Sequence, residues 1–176
     1  MTTRFQKGVL MLGFIATLFA TGCKSTTTIV LVRHAEREPI TATNPDPPLT
    51  AAGQQRAQAL IGVVERANVS AIYTTQLQRT IQTAAPLAGS LSMTPTVFNL
   101  GGNVQQHAQD LAADILAAHR GKAVLVIGHS DTVPLVIESL GVVPGPTIAT
   151  SEFDRLFIVV KHQDGATRLI TGKYGP

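Results

Sequence analysis

Short runs of β-branched and aliphatic residues punctuate this chain, and stretches with helical spacing separate them. The run Thr28–Val32 is apolar on both strand faces, the mark of a strand buried between two layers. Ala123–Gly128 has the same character, and shorter runs lie at Ala71–Tyr73 and Thr94–Phe98. Ala52, Arg56, Ala57, Leu60, Ile61 and Val64 predict a helix from an N-cap at Thr50 to about Ala67. Leu77, Thr80, Ile81 and Ala84 predict a second over Gln76–Ala88, which Pro86 bends or ends. Ala108, Leu111, Ala112, Ile115 and Leu116 predict a third over Val104–His119, closed by Gly121 as its C-cap. A fourth covers Val133–Leu140, with Pro134 in its first turn. Arg155–Lys161 and Thr167–Gly172 flank Gln163-Asp164-Gly165 and predict a hairpin. This alternation predicts an α/β fold, a three-layer α/β/α sandwich around a mostly parallel central sheet.

Residues 1–22 follow another pattern. Arg4 and Lys7 precede the run Gly8–Ala20, apolar except for Thr17, and Ala20-Thr21-Gly22 lead to Cys23. That is the layout of a secretory signal, and it resembles a bacterial lipoprotein signal. The resemblance implies cleavage before Cys23, a lipid on its thiol, a short tether over 23–27 and one domain over 28–176. A plain secretory signal or an uncleaved anchor is the alternative. The lipoprotein resemblance implies a location at the cell envelope, lipid-anchored and facing the periplasm. Lys24, rather than Asp, after Cys23 points by analogy to the outer membrane of a Gram-negative source. One cysteine excludes an internal disulfide.

Composition narrows the partners. The chain has 176 residues, 44% hydrophobic, enough for one domain with a core of its own. Without Arg4 and Lys7, 12 basic residues face 11 acidic ones, which is no argument for binding nucleic acid. The chain lacks Trp and has few aromatics, so a base-stacking surface is not expected either.

The chemistry gathers at two strand ends. Thr28–Val32 runs into Arg33-His34, and Ala123–Gly128 runs into His129-Ser130-Asp131. In a parallel sheet both deliver their side chains to the C-terminal edge, where α/β folds bind ligands. Arg79 falls in the first turn of the helix after Ala71–Thr74. Two guanidinium groups and one imidazole neutralise the oxygens of a phosphoryl group, while the other imidazole attacks phosphorus.

Arg33-His34-Ala35-Glu36 resembles the signature of the histidine phosphatase superfamily, in its phosphoglycerate mutase-like branch. Leu49–Gly53, Tyr73–Thr80, Gln82-Thr83-Ala84 and Gly128-His129-Ser130 follow in the family's order. The resemblance implies that His34 forms a phosphohistidine and that Arg33, Arg79 and His129 bind the phosphate. It implies a phosphomonoesterase acting on a phosphorylated small molecule, with no cofactor and no metal. The other ring nitrogen of His34 needs a partner to set its tautomer, and a backbone carbonyl is expected.

The proton donor is open. Many relatives carry a glutamate after the third strand, but Val97–Gly102 holds no carboxylate. Asp131, two residues past His129, either donates the proton or caps the helix at Val133. Glu36 and Glu38 are further candidates. Arg37 is either a substrate ligand or a solvated loop residue. Asp46, in the proline-rich loop, either orders that loop over the site or is a simple turn residue, and the turn is the expectation. His107, His119 and His162 are expected to be structural surface residues. The spacing of His107, Asp110 and Asp114 suggests an exposed polar face rather than a metal site.

Two rival functions remain. Gly128–Thr132 sits between strand and helix as a nucleophile elbow does, with Ser130 followed by Asp154 and His162 in the order of α/β-hydrolases. Alternatively, the chain is an envelope lipoprotein that binds a phosphorylated ligand without turnover.

Overall fold

The computed structural model describes residues 25–176, so the signal segment and Cys23 lie outside the described residues. The elements run β1 (Thr26–Arg33), α1 (Ala51–Val64) with a 3₁₀ turn at Glu65–Ala67, β2 (Val69–Thr74), α2 (Gln78–Ser90) and β3 (Thr96–Val97). They continue with α3 (Val104–Ala118), β4 (Ala123–Gly128), α4 (Thr132–Ser139), β5 (Arg155–His162) and β6 (Thr167–Lys173). The sheet is ordered β3-β2-β4-β1-β5-β6. β1 to β4 are mutually parallel, and β5 runs antiparallel to both β1 and β6.

Alternation along the central strands builds the two faces. Ile29, Leu31, Val124 and Val126 pack against Leu111 and Ile115 of α3 and against Val133, Val136 and Ile137 of α4. Val30, Val32, Leu125 and Ile127 pack against Leu60 and Val64 of α1 and against Ala84 and Leu87 of α2. The three expected layers are therefore present. β1 and β4 are adjacent, yet the helices that follow them cover opposite faces. Their loops diverge, and that divergence opens a crevice at the C-terminal edge of the sheet.

The structure corrects several local expectations. Thr26 and Thr27, expected in the tether, begin β1 and pair with His162 and Lys161. Helix α2 starts at Gln78 and runs through Pro86 to Ser90, held by the buried Ala84, Leu87 and Ala88 on either side of the proline. The third strand shrinks to Thr96–Val97, because Pro95 just before it has no N–H to donate. His119, not Gly121, is the C-cap of α3. Gly121 instead sits in the following turn at φ 74°, a conformation that suits glycine.

Candidate active site

Strand register brings the two histidines together. Arg33 ends β1 opposite Gly128 of β4, and the His34 amide donates to the Gly128 carbonyl at 2.9 Å. His34 and His129 therefore leave neighbouring strands at the same level. Their ring centroids are 5.3 Å apart with the planes inclined at 61°, and both rings are buried. One phosphoryl group can touch both. Arg33, His34, Arg37, Arg79, His129, Ser130 and Asp131 line an open cleft of about 500 Å³. Leu100, Val104, Thr150 and Phe153 form its remaining walls.

The fold fixes both the tautomer and the charge of His34. Its Nδ1–H donates to the Ala35 carbonyl at 2.8 Å, which leaves the lone pair on Nε2. Burial pushes its pKa down to about 3, and the neighbouring His129, Arg33 and Arg79 push the same way. His129 is likewise held down to about 3, by burial and then by Arg79. Both imidazoles are neutral at ordinary pH.

The arginines are fixed by long-range contacts. Arg33 Nη1 donates to the carbonyls of Ala149, Thr150 and Glu152 at 2.9–3.1 Å. Its guanidinium carbon lies 3.9 Å from the ring centre of Phe153. Burial, followed by repulsion from Arg37, holds both Arg33 and Arg79 below the ordinary guanidinium range. Arg33 Nε and Arg79 Nε are buried without a hydrogen-bond partner among the described residues. Such crowded donors suit an incoming dianion. Arg37 is half-buried, and its Nη1 donates to the Glu38 carbonyl.

Asp46 proves to be more than a turn residue. Its carboxylate accepts from the Gln78 amide at 2.9 Å and lies 3.5 Å from Arg79 Nη1. Leu77, the N-cap of α2, has no side-chain oxygen, so a distant loop supplies the cap and orients the arginine together. Thr83 joins the two halves of the site. Its hydroxyl accepts from the Ala35 amide at 2.9 Å and donates to the Arg79 carbonyl at 2.6 Å. Thr75 Oγ1 lies 3.1 Å from His129 Nε2 and holds that ring. His107 is also corrected: it is buried rather than on the surface, and its Nδ1 lies 3.0 Å from the Asn99 carbonyl. With Gln76 Oε1, which accepts from the Leu100 amide at 3.0 Å, it fixes the loop beside the cleft.

Glu36 is committed elsewhere. Arg56 Nε donates to both of its oxygens at 3.0 Å, and Arg56 also reaches the carbonyls of Tyr174 and Pro176. Burial opposes the charge on Glu36, but the hydrogen bonds from Arg56 prevail and hold the carboxyl below its ordinary range. A carboxylate so paired is a poor proton donor, which removes one of the candidates. Asp131 is exposed in the cleft wall and is also the N-cap of α4, its Oδ1 accepting from the Thr132 amide at 2.8 Å. The serine-hydrolase arrangement does not form. Ser130 is at the C-terminal end of β4, whereas His162 pairs with Thr26 at the opposite edge and Asp154 pairs with Lys173.

Residues sequence reasoning missed are Phe153, Thr150 and the carbonyls around them. They lie in an irregular segment between α4 and β5, where no motif or periodicity marks them. Thr75 lies within Tyr73–Thr80, but nothing local shows that its hydroxyl meets His129.

The chain is similar to known proteins in part of its sequence and in its fold. Residues 29–99 match the family model described as histidine phosphatase superfamily (branch 1). A relative, the PE-PGRS family protein PE_PGRS11 of Mycobacterium tuberculosis, is 49% identical over 55 residues, 31% of this chain. That match spans only 9% of the relative's own length. A mycobacterial glucosyl-3-phosphoglycerate phosphatase aligns with TM-score 0.67 and 15% identity, over 84% of this chain and 99% of that one. The protein histidine phosphatase SixA, solved with tungstate, aligns with TM-score 0.64 and 19% identity, over 83% of this chain and 96% of that one. At these identities the structural likeness speaks for the fold.

Proposed function

We propose that this chain, which matches the histidine phosphatase superfamily model over residues 29–99, is a phosphatase of that superfamily, a phosphomonoesterase working through a phosphohistidine on His34. The observation that carries this reading is the His34 tautomer: Nδ1 is occupied by the Ala35 carbonyl, so Nε2 is left to attack in a cleft shared with Arg33, Arg79 and His129. Nε2 attacks phosphorus, the P–O bond to the alcohol breaks, and the arginines and His129 hold the equatorial oxygens. Water then attacks the phosphohistidine, which releases inorganic phosphate and restores the imidazole. Arg37 at the cleft wall meets the rest of the substrate, a phosphorylated small molecule. Asp131 supplies the proton to the leaving alcohol. The domain works at the cell envelope, held there by a lipid on Cys23.

Replacing His34 with Ala is expected to lower phosphate release from an aryl phosphate by at least about 10³-fold and to abolish an acid-labile, base-stable phosphoprotein. Wild-type release is expected to persist in the presence of a chelator. Activity retained by His34→Ala overturns the reading.

One observation favours a second reading, a phospho-ligand-binding protein without turnover. The Asp131 carboxylate already caps α4, and no other carboxylate lines the cleft among the described residues. Tight phosphate binding without turnover by the wild type would establish it.

A further inference from the structure

The end of the domain opposite the cleft carries charge that this chemistry does not use. β1, β2 and β4 begin there at Thr26, Val69 and Ala123, and β5 ends there, with His162 paired to Thr26. The loops and strand ends at this edge expose Arg66, Arg120, Lys122 and Arg168, with Lys161 half-buried beside them. Glu65 and Asp164 are the carboxylates of the same segments, so five cations stand against two anions. Among the described residues, no ion pair ties any of the five to a carboxylate.

The chain enters the domain at this same edge. Gln163 Nε2 donates to Ser25 Oγ, the Gly121 amide donates to Thr27 Oγ1 at 3.0 Å, and the Thr28 amide donates to the Lys122 carbonyl at 3.0 Å. Those contacts staple the entry point to the loop bearing Arg120 and Lys122. In the lipid-anchored reading, on which this inference rests, Cys23 lies two residues before Ser25. An extended chain advances at most about 3.5 Å per residue, so the edge stays within about 7 Å of the anchored residue.

We propose that this basic edge docks on an anionic phospholipid surface and holds the cleft facing away from the bilayer. Each basic side chain near such a surface strengthens binding about fivefold, an effect screened beyond about 8 Å at physiological salt. The short link keeps the edge near the bilayer, and the charge lets it close the remaining gap. The eight residues of β1 place the cleft about 25 Å further from the lipid, at roughly 3.3 Å per residue. Substrate then arrives from the aqueous phase.

The test is backbone amide exchange of the full chain reconstituted into vesicles of phosphatidylcholine, with and without phosphatidylglycerol. On anionic vesicles, exchange in 65–68, 119–123 and 162–168 is expected to slow about fivefold, as for one engaged basic side chain. High salt and the double substitution R120E/K122E are each expected to abolish the slowing, with hydrolysis of soluble p-nitrophenyl phosphate unchanged. Equal exchange on both vesicle types, protection confined to 34–38 and 149–153, or slowing that survives R120E/K122E overturns the proposal. The exchange readout is separate from turnover, so it can fail or succeed independently of the phosphatase reading.

Discussion

Two buried neutral histidines make the site sensitive to acid in a defined direction. In the unfolded chain an imidazole takes up a proton near pH 6.5; in the fold His34 and His129 do so only at about 3. Between these values the unfolded state binds more protons, so stability is full above pH 6.5 and falls as pH drops toward 3. Denaturant titrations are expected to show a loss of about 1.4 kcal/mol per pH unit for each histidine across that window. A His129→Gln variant is expected to show about half the combined slope of the two histidines. Asp131 is tested differently, because Asn caps a helix about as well as Asp but cannot donate the proton. Asp131→Asn is expected to lower kcat about 10²-fold for an alkyl phosphate while sparing p-nitrophenyl phosphate, whose leaving group needs no proton. Equal rates on both esters would leave Asp131 a cap alone.

Element ends, more than element interiors, build this site. The β1 and β4 strands were legible because their apolar runs are continuous, and the matching register of Arg33 with Gly128 follows from their pairing. The first turn of α1 sets where the loop after β1 goes. Thr50 caps α1 through the Gly53 amide at 3.1 Å, and its own amide donates to the Glu36 carbonyl at 2.9 Å. A Cβ at Gly53 would stand 2.0 Å from that same carbonyl oxygen, so only glycine lets helix and loop meet. Gly53→Ala is expected to cost about 1–3 kcal/mol, as overpacking does, and to lower activity by shifting the Arg33–Glu36 segment. Thermal unfolding and kcat/KM measured together check this. An unchanged pair of values would show that the loop yields without cost. Asp46 in the proline-rich loop carries no motif that marks it, yet it caps α2 and braces Arg79. A cap supplied from 32 residues away leaves no local signature.

At the scale of the whole molecule, the sheet separates two surfaces. The cleft occupies the C-terminal edge, and the chain's entry and the basic loops occupy the other. Arg56 also binds the beginning of the domain to its end, linking Glu36 after β1 with the carbonyls of Tyr174 and Pro176. The sequence by itself determined the layers, the parallel strands and which four side chains, Arg33, His34, Arg79 and His129, share the cleft. Hydrophobic periodicity and strand-terminal residues are local properties, and local properties survive in a string of letters. Only the tertiary structure decided what surrounds those side chains: the three carbonyls on Arg33, Phe153 beside it, Asp46 on Arg79 and Thr75 on His129. Each of these contacts joins groups far apart in the chain, and their meeting depends on how the loops close over the packed core.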